Sequence, residues 1–230
     1  MRLNRFLAAA GLGSRRHCDE LIAGGQVTIN GQVCTNFSVE PGARDHVKVN
    51  GRLIHAETPH SIVLYKPAGF VSTRRDAHAR DTIFDLVPPK LGNLFHAGRL
   101  DAQTEGLLVL TNDGDLALRL THPRYKVDKE YEVTLDRPWD RSLTPRLLRG
   151  IVLDGERARF SELRCLSPTR LRVVLRQGLN RQIRRMFEAV GFNVKHLVRL
   201  RIGNLRLGDL PRGHWRPLTT AELTAIKSAR

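Results

Sequence analysis

The elements legible in this sequence predict a chain that mixes helices with strands, and three observations carry that prediction. Leu3, Phe6, Leu7 and Ala10 recur at helical spacing. Tyr131, Val133 and Leu135 alternate with charged or polar neighbours, the pattern of a strand with one buried face. Ile183, Met186, Phe187 and Val190 fall at i, i+3, i+4 and i+7, a single apolar stripe along a helix.

Taken in order, the first 50 residues read as two short helices and a small sheet. Gly11 stops the first helix, and Ser14 is a good N-cap for a second that runs through Arg15, Arg16, Leu21 and Ile22. Val27-Thr28-Ile29 is a strand, Asn30-Gly31 a hairpin turn, His46 to Val49 a further strand and Asn50-Gly51 another turn. Residues 51–60 read as a linker, and 61–230 as the larger domain. There, Ser61 to Tyr65 is a core strand, broken by Lys66-Pro67-Ala68-Gly69 into a tight loop. Residues 72–81 form a polar, flexible loop with Arg74, Arg75 and Arg80. Thr82 to Val87 reads as a short helix, Leu107 to Leu110 as a buried strand, Leu116 to Leu120 and Leu143 to Leu148 as helices. Strands follow around 151–153, 160–166 and 171–175, then a helix capped by Asn180 and ended by Gly191.

Composition narrows the classes. A hydrophobic fraction of 41% supports a real core, and no apolar run approaches bilayer length, so no membrane association is expected. Met1 to Ala10 mixes Arg2, Asn4 and Arg5 among apolar residues and lacks the continuous core of a signal peptide. Cys18, Cys34 and Cys165 are odd in number and far apart, which fits a reducing cytoplasm rather than disulfides or zinc. The nine histidines show no ligand spacing and no nucleotide-binding glycine motif is present, so neither metal nor cofactor is expected. The net charge of +15 implies a polyanionic partner, most simply nucleic acid. Residues 1–60 hold 7 Lys+Arg and 5 Asp+Glu, and residues 61–230 the remaining 31 and 18, so the charge gathers in the larger domain.

The chain is organised around Gly98-Arg99-Leu100-Asp101-Ala102-Gln103-Thr104-Glu105-Gly106, followed by the apolar run and by Asn112-Asp113-Gly114. This sets a lone carboxylate on a mobile-looking loop beside a buried strand. An aspartate in such a loop ordinarily caps a turn. The whole motif, however, resembles the catalytic motif of the pseudouridine synthases, in the group that modifies ribosomal RNA and carries an N-terminal S4 domain. Residues 1–50 are similar to that S4 module through Arg2-Leu3-Asn4-Arg5-Phe6-Leu7, Ser14-Arg15-Arg16 and Gly25 to Gly31. Lys66-Pro67-x-Gly69 resembles the family's first motif, expected here as structural support. Lys129-x-Tyr131-x-Val133 resembles its tyrosine motif, and Arg181-Gln182-Ile183-Arg184 its third.

The resemblance implies an α+β fold: an S4 RNA-binding domain, then a catalytic domain with a mostly antiparallel mixed sheet and flanking helices. It implies that Asp101 is the catalytic acid, that Tyr131 stacks on the target uracil, and that Arg184 pairs with Asp101 and keeps it charged and oriented. Arg2, Arg5, Arg15 and Arg16 would contact RNA phosphates, and Arg99 would fill the space left by a flipped base or hold the backbone. Arg181 and Arg185, on the polar side of the late helix, join them as expected phosphate contacts, and Lys195, His196, Arg199 and Arg201 extend a basic surface. One carboxylate suffices, as nucleophile on the sugar or as base at C2′. No second acid is needed, because no water is added, and Glu105 is given no role.

Gln177-Gly178-Leu179-Asn180 looks like the RluF subgroup, which modifies 23S ribosomal RNA and can act on a transfer-RNA anticodon loop. RsuA-like or RluB-like specificity is the alternative within the class. A non-catalytic S4-type RNA-binding or ribosome-assembly factor is the alternative outside it. Monomer is the default expectation.

Overall fold

A computed structural model describes residues 1–74 and 76–228. Two compact units emerge. The first comprises Met1–His60 with Gly92–Leu94 and Asn112–Gly114, and the second comprises Ser61–Leu91, Phe95–Thr111 and the chain from Asp115 onward. Among the described residues no helix is long and apolar enough to cross a membrane.

In the first unit α1 (Leu3–Ala9) and α2 (Arg15–Ala23) pack on a four-stranded sheet of β1 (Val27–Ile29), β2 (Gln32–Val33), β3 (Val47–Val49) and β4 (Arg52–Leu53). Ser14 caps α2 by accepting a hydrogen bond from the His17 N–H. Asn30-Gly31 and Asn50-Gly51 take positive φ at both positions, as a tight hairpin turn requires. Leu3, Leu7, Cys18, Ile22, Val27, Val47 and Val49 form the core. The expected linker at 51–60 belongs to this unit. It supplies β4, and its Thr58 carbonyl and His60 N–H are both held by the Asn112 side chain, at 3.1 and 2.6 Å.

The second unit is built on one nine-stranded sheet. Its strands are β5 (Ser61–Lys66), β6 (Phe95–Ala97), β7 (Glu105–Thr111), β8 (Lys129–Leu135), β11 (Glu162–Cys165), β12 (Arg170–Leu175), β13 (Val194–Ile202), β14 (Leu205–Arg206) and β15 (Trp215–Pro217). Between β8 and β11 lies a separate hairpin of β9 (Ile151–Leu153) and β10 (Glu156–Ala158). The order is β11-β12-β8-β13-β7-β5-β15, with β14 on β13 and β6 on β7. Every neighbouring pair is antiparallel except β13 with β7. That parallel seam has only two register pairs, Val198 with Glu105 and Arg199 with Gly106.

The seam divides two cores. On one side α4 (Thr144–Arg149) and α5 (Gln182–Glu188) bury Leu147, Ile183, Met186 and Phe187 against Tyr131, Val133, Leu171 and Val173. On the other, α3 (Gly114–Thr121) and α6 (Thr220–Ser228) bury Leu116, Leu120 and Ile226 against Val63, Leu107 and Val109. Gly106 is what lets the halves meet. Its φ is +105°, and a Cβ there would lie 2.3 Å from the Arg199 carbonyl oxygen, so no side chain fits.

Some local expectations fail for identifiable reasons. Thr82 to Val87 is a series of turns, because the Asp85 carboxylate accepts from both the Thr82 N–H and hydroxyl and closes the chain on itself. Asn180 does not cap α5. Arg181 occupies the N-cap at φ +47° with no side-chain cap.

Candidate active site

Asp101 sits on the loop entering β7, and this loop is fixed by its own carbonyls. Leu100 O accepts from the Ser72 hydroxyl at 2.9 Å. Asp101 O accepts from the Thr104 N–H at 3.1 Å, and Ala102 O from the Gly69 N–H at 2.8 Å. Gln103 O accepts from Arg184 Nη2 at 3.0 Å, and Thr104 O from Lys66 Nζ at 2.9 Å. Five consecutive carbonyls are thus held, and the loop that looked mobile in the sequence is a braced one.

Lys66 explains much of that bracing. Its side chain is fully buried, and its ammonium donates to Pro67 O, Ala102 O and Thr104 O at 2.9, 3.3 and 2.9 Å. Burial pulls its pKa down to about 8, against the pull of the Asp101 and Glu105 carboxylates. It is therefore charged at neutral pH, and its three donors match three acceptors.

The Asp101 carboxylate is oriented from both sides. Oδ1 accepts from the Thr104 hydroxyl at 2.8 Å, so the turn-capping habit of aspartate is present. Oδ2 lies 3.9 Å from Arg184 Nε. Arg184 is itself clamped, with Nη1 on Val194 O at 2.9 Å and Nη2 on Gln103 O. Its charge reaches Asp101 from a fixed position, while Asp101 keeps a side-chain exposure of 26%. Tyr131, from the central strand β8, is buried, and its hydroxyl accepts from Arg199 Nη1 at 3.5 Å.

The other expected residues divide. Arg99 and Arg181 are exposed, as are Arg2, Arg15 and Arg16 in the first unit, while Arg5 is half-buried. Arg185 is already neutralised by Asp154, at 2.6 and 2.8 Å, which weakens it as a phosphate contact. Arg80 is likewise bidentate to Asp76, and Arg74 lies over the Phe84 ring. Arg75 lies outside the described residues. The basic surface expected through Arg199 is not formed as drawn: Arg199 is buried, with Nε on Leu107 O at 2.7 Å. Gln177, in the Gln-Gly-Leu-Asn segment, braces a corner. It donates to Arg157 O and accepts from the Arg159 N–H and from Gln182. Among the described residues no group of acidic, histidine or cysteine side chains could hold a metal ion.

Residues 60–189 match the family described as RNA pseudouridylate synthase, and residues 1–45 match the S4 domain. The chain belongs to the RNA pseudouridylate synthase family. Among its relatives, the dual-specificity RNA pseudouridine synthase RluF of Escherichia coli is 40% identical, over 97% of this chain and 77% of that protein. Ribosomal large subunit pseudouridine synthase B of Bacillus subtilis is 36% identical, over 99% of this chain and 96% of that one. A crystal structure of a pseudouridylate synthase superimposes with a TM-score of 0.72 at 32% identity, covering 98% of this chain and 99% of that one. The protein is thus an S4-domain RNA pseudouridine synthase, an enzyme with an RNA substrate, and the α+β fold expected from its motifs is the fold it has.

Sequence reasoning missed Ser72, Thr104 and the direct clamp by Lys66. Only Lys66 left a signal, through the Lys-Pro-x-Gly turn. Arg199 was missed as the partner of Tyr131, and Lys129 as the neighbour of Arg199, because both sit among charges that look solvated.

Proposed function

We propose that this enzyme isomerises one uridine of large-subunit ribosomal RNA to pseudouridine, with Asp101 as the catalytic carboxylate. The observation that carries the assignment is the meeting of Asp101 and Arg184, 83 residues apart in sequence, at 3.9 Å on a loop braced at five carbonyls. The everted uridine brings its C1′ to the Asp101 carboxylate. Heterolysis of the C1′–N1 bond leaves its electron pair on the uracil ring. The carboxylate either adds to C1′, and is displaced from it when C5 attacks, or removes the C2′ proton, and returns it to C2′ as C5 joins C1′. The base then turns and joins C1′ through C5, the C5 proton is lost, and N1 takes one up. Atoms balance without a co-reactant, so no cofactor is required.

Tyr131 stacks on the flipped base, and Arg184 keeps Asp101 aimed. Arg99 holds the RNA at the rim, while Arg2, Arg5, Arg15, Arg16 and Arg181 meet phosphates. The domains act as an S4 module to about residue 50 and a catalytic domain from 61. The enzyme works as a monomer in the cytoplasm. The relative named ribosomal large subunit pseudouridine synthase B favours large-subunit RNA, and the RluF-like Gln177 to Asn180 segment favours the RluF type, with 23S RNA as substrate and a transfer-RNA anticodon loop as a second. RluB-like specificity for another uridine is the second reading, favoured by the 96% coverage of the Bacillus relative.

Mapping pseudouridine in ribosomal and transfer RNA from cells lacking the gene identifies the target. In vitro, Asp101→Asn should abolish isomerisation of that RNA and leave its affinity within a few-fold. Retained turnover would reject the assignment.

A further inference from the structure

Arg199 raises a question the chemistry above leaves unanswered. It is 3% exposed, on a strand in the middle of the sheet. Nε donates to Leu107 O at 2.7 Å and Nη1 reaches the Tyr131 hydroxyl at 3.5 Å. Nη2 is enclosed and has no hydrogen-bond partner among the described residues. No carboxylate lies within 4.0 Å of this guanidinium among the described residues, and the acids nearby have other cations. Glu105 lies 3.0 Å from Arg212, Glu130 lies 2.8 Å from Arg201 and 3.4 Å from Arg172, and Asp128 lies 2.7 Å from Arg176.

A second cation stands beside it. Lys129 is two residues before Tyr131 on β8, so both side chains leave the strand on the same face. Among the described residues its ammonium has one weak acceptor, Val127 O at 3.4 Å, and no carboxylate within ion-pair distance. Burial and then the neighbouring Arg199 hold its pKa at about 8 against the pull of Asp128, so the ammonium is charged at neutral pH. Two positive charges so close, with only Asp128 drawing on Lys129 and that acid already paired with Arg176, are unfavourable to the resting fold, and ionisable groups perturbed in this way concentrate at functional sites.

Negative charge develops on the uracil ring. Whether Asp101 attacks C1′ or takes the C2′ proton, the C1′–N1 pair leaves with the base, and the detached uracil is an anion delocalised over N1, O2 and O4. We propose that Arg199, seconded by Lys129, is a positioning residue for this reaction: it fixes the hydroxyl end of Tyr131 and sets a buried positive field behind the ring that stabilises the departing uracil anion. This rests on the assignment of Tyr131 to the base. Arg184 serves the sugar side through Asp101, and Arg199 serves the base side through Tyr131. The field is built into the folded sheet, so it needs no reorganisation as the bond breaks.

The test compares single-turnover rates, RNA dissociation constants and melting temperatures for Arg199→Lys, Arg199→Gln and Lys129→Gln. The substrate is the RNA that the wild-type enzyme modifies, as mapped above. The variant-to-wild-type ratio therefore reads this inference alone, while the wild-type rate reads the activity it rests on. Removing one preorganised donor of this kind typically slows chemistry by about 10²-fold. Arg199→Gln should lose about that factor in single-turnover rate with its RNA affinity unchanged, and Arg199→Lys, which keeps the charge, should recover most of it. Equal losses in the two variants, or a loss confined to RNA affinity, would overturn the proposal. Should Arg199→Gln melt below the assay temperature, Lys129→Gln at the half-buried edge of the strand decides: about a tenfold slower single turnover supports the field, and a wild-type rate overturns it.

Discussion

Cations are used in opposite ways in the two units. In the first, Arg2, Arg15 and Arg16 stand in solvent, while the core beneath them is wholly apolar apart from Cys18. In the second, Lys66 and Arg199 are buried and Arg184 nearly so, each tied to backbone carbonyls. Exposed charges act by releasing counterions from RNA, which gives affinity that salt erodes. Buried charges act at fixed distances in a low-dielectric setting, where salt barely reaches. On the proposed roles, binding and chemistry are separable in this protein, and each prediction tests the separation.

The largest effect should come from the seam. A side chain at Gly106 collides with the Arg199 backbone at 2.3 to 2.9 Å. Gly106→Val should destabilise the second unit by about 4 kcal/mol or more, read as a lost or strongly lowered unfolding transition. A near-normal melt would mean that the seam can open cheaply.

Next is Arg184→Lys. A lysine cannot reach Val194 O, Gln103 O and Asp101 together, since it lacks the planar fork. Turnover should fall by about 10²-fold through misplacement of Asp101, with RNA affinity intact by filter binding. A matching loss of affinity would blur the distinction between the two kinds of cation.

A smaller effect concerns pH. Lys66 titrates at about 8 in the fold against 10.5 in the unfolded chain. Below about 8 both states hold the proton and it contributes no slope. Between about 8 and 10.5 the unfolded chain binds more protons, so its contribution to stability rises with pH. The neutral amine, however, has only two N–H donors for three carbonyls. Turnover should fall about tenfold per unit above pH 8 while this group's contribution to resistance to urea increases, and Lys66→Met should flatten that alkaline limb. Parallel loss of activity and stability would refute the role given to Lys66.

The smallest effect belongs to the exposed set. Arg15→Gln with Arg16→Gln should weaken RNA binding only several-fold near physiological salt. The double change should also reduce the salt slope by about 1.4, at roughly 0.7 per single-stranded phosphate contact. Single-turnover rate at saturating enzyme should stay unchanged. A slower rate would give these arginines a part in the chemistry.

What the sequence disclosed follows the reach of its signals. Ser14, the two Asn-Gly turns and the stripe of Ile183, Met186 and Phe187 act within a few residues, and each is found as expected. Asp101 and Arg184 were identified through motif resemblance, and their approach is visible only in three dimensions. Arg199 was misread because its alternation in Val194–Ile202 looks half-solvated. Its burial is decided by Gly106, 93 residues earlier, across a seam no local pattern announces. The turns at 82–87 were misread because an apolar run masked the Asp85 cap. The linker at 51–60 was misread because its strand has two residues and its anchor, Asn112, is more than 50 positions away.

The two-pair seam also has a consequence for how the enzyme comes into being. Strand β7 leaves the ribosome long before β13, and contacts this distant in sequence form late. Until Arg199 has emerged, Gly106 has no neighbour to lie against, Tyr131 has no guanidinium at its hydroxyl, and the Asp101 turn lacks the rigid edge beside it. The S4 module is complete by then. On the proposed assignment, a partly synthesised chain has its RNA-binding module before it has its active site, which is assembled only once β13 has been made.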